Sequence, residues 1–166
     1  GGNSNYGTAI VGTVSGTSIS FGTAVIFRSN SSQYISATFD TTSNKVVIAY
    51  SSTGNVLGSA IVGTVSGTGI SFGSPAVFES SNVVQTGTAC TFDSNANKVV
   101  IAYSDAGSSD KGTAIVGTVS STSISFGSAV VFEEGVTTST SSTFDSLNNK
   151  VVIAYKDAGN SNKGTA

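Results

Sequence analysis

Asn44-Lys45-Val46-Val47-Ile48-Ala49-Tyr50 decides how this chain folds, because the same seven residues return at Asn97 to Tyr103 and at Asn149 to Tyr155, at intervals of 53 and 52 residues. Both alternating sets in this run are apolar, the pattern of a strand covered on both faces. Working outward from it, Thr-Phe-Asp precedes every copy and ends at Asp40, Asp93 and Asp145. Ala-Ile-Val-Gly-Thr-Val-Ser begins at Ala9, Ala60 and Ala114, and Ile-Ser-Phe-Gly follows it at Ile19, Ile70 and Ile124. Each period therefore holds four segments rich in Val, Ile, Phe, Tyr and Thr, parted by Gly, Ser, Asn and Asp. That is the grammar of strands and turns, and self-similarity at such a period marks a repeat architecture.

Crowding orders the four strands. The segments Ser36-Ala37-Thr38, Ala89-Cys90-Thr91 and Ser141-Ser142-Thr143 carry the small side chains that a converging channel admits, so they are expected innermost. In Ile124, Phe126, Ser128, Val130 and Phe132 the bulky residues mostly share one alternating face, as suits a strand near the rim. The expected fold is all-β: a β-propeller of four-stranded antiparallel blades. The chain reads as a single repeat domain over residues 1–166. It begins with a half-blade at about 6–28 (strands three and four), continues with blades at about 33–80 and 85–134, and ends with a half-blade at about 138–157 (strands one and two). That makes three blades per chain, whereas propellers close with roughly four to eight. Two chains would give a six-bladed ring closed by homodimerisation, and two-fold dimers are the commonest symmetric assembly. Gly159 to Ala166 repeats Gly2 to Ala9 with one difference, Lys163 for Tyr6. Residues 158–166 are thus a redundant tail, since one copy alone can begin a given third strand.

Composition narrows function more than it assigns it. Charged residues make up 10%, the net charge is −2 and no basic cluster occurs, which argues against nucleic acid and anionic membrane as partners. No apolar run is long enough to cross a bilayer, and Gly1 to Asn5 has neither the charged nor the apolar region of an export signal. With no His, Met or Trp, the commonest general base and metal ligand is missing. No phosphate-binding, dinucleotide-binding or calcium-loop spacing occurs, so no cofactor, metal or catalytic residue is expected, and the chain reads as a non-enzyme. Cys90 stands where the other copies have Ala37 and Ser142, which makes it a packing residue.

Asp40 and Asn44 bracket a turn, as do Asp93 and Asn97 and Asp145 and Asn149, and carboxylates so placed hydrogen-bond turn amides. Glu79, Glu133 and Glu134 follow strand four and read as solvated charges, although a glycosidase would need two facing carboxylates. What varies between copies is the connection from strand four to the next strand one: Arg28 to Tyr34, Glu79 to Gln85 and Glu133 to Thr138. Varied loops on a rigid scaffold are how binding surfaces are built. Tyr34 offers a ring for stacking on a sugar, with Asn30, Asn82 and Gln85 as amide partners in equivalent loops. Asp105, Asp110, Asp157 and Asn160 form a second candidate rim. Asn30-Ser31-Ser32 also fits the glycosylation acceptor pattern.

At Asn44 to Tyr50, Asn97 to Tyr103, Asn149 to Tyr155, Gly7 to Ser15 and Gly112 to Ser120, the chain resembles repetitive β-propeller-like proteins of marine viruses and bacteria. The resemblance covers essentially the whole chain and implies a surface or tail-associated adhesin, extracellular or on a virion. A looser likeness to sialidase-type propellers stops at strand order, because their Asp-box motif is absent. The expected function is a lectin-like or adhesive binding module with itself and carbohydrate as partners. The alternative is a self-assembling repeat, natural or engineered, that carries no ligand.

Overall fold

Apolar strands with both faces covered need neighbours on both sides, and the fold supplies them by stacking one antiparallel unit on the next. In the computed structural model, which describes residues 4–52, 57–81 and 83–166, the described residues form strands joined by turns and a single 3-10 turn at Ala106–Ser108. The strands are β1 (Tyr6–Ala9), β2 (Gly12–Ser15), β3 (Ser18–Phe21), β4 (Val25–Asp40), β5 (Lys45–Ser52), β6 (Gly58–Ser66), β7 (Gly69–Phe72) and β8 (Ala76–Glu79). They continue as β9 (Val83–Asp93), β10 (Lys98–Asp105), β11 (Lys111–Ser120), β12 (Ser123–Phe126), β13 (Val130–Asp145), β14 (Lys150–Asp157) and β15 (Lys163–Thr165). The protein is all-β, with curled, nearly closed sheets of propeller-like form.

The repeat unit is visible in the pairing. The second half of β4 pairs with β5, β5 with β6, and β6 with β7 and then β8. The same sequence of pairs recurs from β9 through β10 and β11 to β12 and the first half of β13. Ahead of them, β2 pairs with β3 and β1 with the first half of β4. After them, the second half of β13 pairs with β14, and β14 with β15. The first strands of successive units lie side by side: the Cys90 amide donates to Ser36 Oγ at 3.0 Å, and Gly87 sits against the Thr140 backbone.

The tight turns are built by local chemistry. Asp40 Oδ1 accepts the amides of Thr42 and Ser43 at 2.9 and 3.0 Å, and Asn44 completes the turn at φ +55°. Asp93 Oδ1 accepts Asn95 and Ala96, and Asp145 Oδ1 accepts Leu147 and Asn148, with Asn97 and Asn149 again left-handed. Asn tolerates that conformation better than most residues because its short polar side chain bonds locally.

One expectation needs correction. The connections at Arg28 to Tyr34 and Glu133 to Thr138 are not loops. β4 and β13 run through them as 16-residue strands that change partner midway, Ser31 pairing with Tyr6 and Ser32 with Ser52. Residues in β-bulges absorb the change of direction, Tyr34 at φ +50° and Ser139 at φ +55°. A bulge adds twist without ending a strand, and polar, Ser-rich composition does not distinguish it from a loop.

The core lies between units. Val47, Ala49, Ala60, Val62 and Phe78 point forward from one unit and pack with Cys90, Phe92, Val99, Ile101, Tyr103, Ile115 and Ile124 of the next. The alternate residues Ile48, Tyr50 and Ile61 point back and pack with Phe27. Each fully buried Ile, Val or Phe side chain contributes about 1.5–3 kcal/mol relative to exposure, so most of the stabilisation resides in these seams.

Candidate functional site

The most developed side-chain constellation repeats once per seam, at the end where strand four of one unit reaches strand two of the next. Phe27 packs on Tyr50, Phe78 on Tyr103 and Phe132 on Tyr155, with ring centroids 5.3, 5.1 and 5.2 Å apart in tilted geometry. Such aromatic pairs add to stability beyond the area they bury. The residue after each Phe then meets the Tyr. Tyr103 donates its hydroxyl to Glu79 Oε2 at 3.3 Å, and Tyr155 donates to Glu133 Oε2 at 2.9 Å. Each glutamate uses its other oxygen to hold the chain leaving strand four: Glu79 Oε1 accepts the Ser81 amide and hydroxyl, and Glu133 Oε1 accepts the Gly135 amide.

Electrostatics follow from that geometry. The Gly135 amide, then the Tyr155 hydroxyl, hold the Glu133 carboxyl below its ordinary pKa. Burial, and after it the Glu79 charge, push the Tyr103 hydroxyl well above the ordinary tyrosine value. In the first seam Arg28 replaces the glutamate. Its guanidinium lies 5.7 Å from the Tyr50 ring centroid, while the Tyr50 hydroxyl and Arg28 Nε are buried without a hydrogen-bond partner. Glu79 and Glu133, read from sequence as solvated charges, are thus seam residues. Glu134 forms an ion pair with Lys111.

Of the other sequence candidates, the acidic residues at the ends of β10 and β14 lie at this end. Asp105 precedes the 3-10 turn and Asp110 follows it, the Asp110 amide donating to the Asp105 carbonyl at 2.8 Å. Burial, then the Glu79 charge, raise the Asp105 pKa, and its Oδ1 is buried without a hydrogen-bond partner. Asp157 Oδ1 accepts the Asn160 amide at 3.0 Å and stands with Glu133 beside Gly135. Tyr34 and Asn30 are exposed on β4, Tyr34 at its left-handed bulge. Asn82 lies outside the described residues, and Gln85 falls within β9. Asp40, Asn44, Asp93, Asn97, Asp145 and Asn149 occupy the turns between strands one and two described above. Cys90 is buried, and burial raises its thiol pKa. Among the described residues no group of three His, Cys, Asp or Glu side chains gathers as a metal site, and no helix is long and apolar enough to cross a membrane.

Sequence reading missed the Phe-Tyr-Glu stitch, although its signal was present: Phe27, Phe78 and Phe132 recur with Tyr50, Tyr103 and Tyr155 in every period. A second set of contacts was also hidden. A Cβ built on Gly22 runs into the Thr68 carbonyl, and one on Gly73 runs into the Thr122 carbonyl, so the outer strand of one unit can touch the turn of the next only through glycine. Gly127 holds the same place in the last outer strand, yet a Cβ there meets only the Val116 carbonyl, at an ordinary 3.8 Å. Comparison with known proteins finds no match to this chain among family models, curated proteins or solved structures.

Proposed function

We propose that this chain is a non-enzymatic, self-assembling propeller scaffold, two copies of which close into one six-bladed ring, each split blade completed by the other copy. The observation that carries the reading is the mismatch between identical residues at the middle and the ends of the stack. Ile61 and Ile115 are 2% and 4% exposed, whereas Ile10, in the same place in the first unit, is 49% exposed. Ile19 is 53% exposed against 5% for Ile124. At the other end the forward face is open, with Val116 44% exposed where Val62 is fully buried. The two open faces have the composition of the two sides of the internal seams, so a second copy supplies the partner each one lacks. Exposed apolar area of this kind, beside unpaired strand edges, favours association. Gly127 supports the same arrangement, because it leaves room for the carbonyl of Thr17 from a second copy, as Gly22 and Gly73 do for Thr68 and Thr122.

Light scattering coupled to size exclusion tests this. The expected result is twice the mass of one chain, and Gly127→Leu should return a folded monomer. A wild-type chain that stays a compact monomer at every concentration overturns the proposal.

A second reading, a lectin-like or adhesive rim on that scaffold, rests on Tyr34, an exposed aromatic ring on a left-handed bulge four residues along β4 from the exposed Asn30. Aromatic rings combined with polar groups suit sugar binding. Hits on a glycan array that vanish with Tyr34→Ala support it, and hits unchanged by that substitution remove Tyr34 from the site.

A further inference from the structure

We infer that the Arg28 end of the first seam is a binding site for the carboxylate of a small ligand. The second and third seams show what the position takes. There the residue after the packed Phe is a glutamate, and its carboxylate accepts the hydroxyl of Tyr103 or Tyr155. A second acid stands two residues beyond each tyrosine, Asp105 in one seam and Asp157 in the other. In the first seam both acids are replaced. Arg28 stands for the glutamate and Ser52 for the aspartate, and the Ser52 hydroxyl is already engaged with the Leu57 backbone. A position that is anionic twice is thus cationic once, in a chain whose net charge is −2.

The local chemistry is that of an unmatched donor pair. Tyr50 is fully buried, and neither its hydroxyl nor the buried Arg28 Nε has a hydrogen-bond partner. The ion pair among the described residues joins Lys111 to Glu134, so no carboxylate neutralises Arg28. The guanidinium lies 5.7 Å from the centroid of the Tyr50 ring. Burying a polar or charged group unpaired costs free energy, and an anionic acceptor shared by the two groups removes both costs. A carboxylate has the right form: one oxygen accepts the tyrosine hydroxyl, as Glu79 and Glu133 do, and the other faces the planar guanidinium. Arg28 is partly exposed, which gives the ligand an approach from solvent. Both residues belong to one chain, so the site does not require the ring.

Arg28 is the only arginine in the sequence, so its Nε–H gives a single unambiguous NMR signal. Titration with acetate and with glucuronate should move that signal saturably, while glucose and chloride leave it in place. Tighter binding of glucuronate than of acetate identifies an acidic sugar as the ligand class, and equal binding identifies a free carboxylate. Tyr50→Phe should weaken the binding of either about tenfold, the loss of one hydrogen bond to a charged acceptor. Arg28→Glu should rebuild the stitch of the other seams, raising the urea midpoint without ligand and abolishing its further rise with ligand. A signal that moves with neither carboxylate, or equally with chloride, overturns the site. So does a ligand-induced rise in the midpoint that survives Arg28→Glu.

Discussion

Tyr50, Tyr103 and Tyr155 are one residue in three environments: the first two are fully buried, Tyr155 is partly exposed, and the residue that follows the packed Phe differs between the first and the other two. Tyr103 and Tyr155 find a glutamate and donate to it; Tyr50 finds Arg28, and its hydroxyl is buried without a partner. An unpaired buried hydroxyl costs free energy that a phenyl ring does not, so Tyr50→Phe should be neutral or stabilising by up to about 1 kcal/mol. Tyr103→Phe, which removes a bond to a charged acceptor, should cost about 1–2 kcal/mol. Urea midpoints of the two variants check this, and equal effects would refute the distinction. Asp105 supplies a pH test. Its folded-state pKa is raised by burial and the Glu79 charge, so ionisation costs stability above that pKa, and the cost vanishes below the ordinary aspartate value of about 4. Asp105→Asn should therefore raise the melting temperature near neutral pH and lose that advantage in acid. A gain that is constant with pH would assign the effect to something other than charge. Asp145, held below its ordinary pKa by its Asn148 contacts, acts in the opposite sense, and its contribution fades as pH falls through its folded pKa.

Among elements, the turns and glycines set the spacing of the stack. Asn149 sits at φ +53°, a region where a side chain without local hydrogen bonding is strained. Asn149→Ala should cost about 1 kcal/mol while Asn149→Gly stays near neutral, as read from equilibrium denaturation. Gly73→Ala forces a methyl into the Thr122 carbonyl and should cost about 1–3 kcal/mol, whereas Gly127→Ala should leave the fold of the single chain unchanged. The turn positions were legible in the sequence because Asp-x-x-x-Asn carries its own local hydrogen bonds. The strand-through connections at β4 and β13 were not. Arg28 to Tyr34 is polar enough to read as a loop, and only cross-strand pairing keeps it extended.

For the whole molecule, the seams carry the energy and the two open ends carry the prediction. If association buries Ile10, Ile19, Phe21 and Val116, the unfolding midpoint should rise with protein concentration, since assembly stabilises only the folded chain. Phe21→Asp should abolish that dependence. A midpoint independent of concentration in the wild type would mean that the ends stay exposed.

The sequence by itself determined the repeat, its all-β character and the chemistry of the turns, because these depend on apolar alternation and on residues that bond to their own neighbours. The candidate site was legible only in part. Asp105 and Asp157 were singled out as loop acids, but their association with Glu79 and Glu133 was not visible. Tertiary structure alone decided which Phe meets which Tyr, that two glutamates are seam residues and that Gly22 and Gly73 admit a carbonyl. Those facts join residues of different units across a seam. No property of either residue alone encodes the pairing; it arises when the backbone brings their faces together.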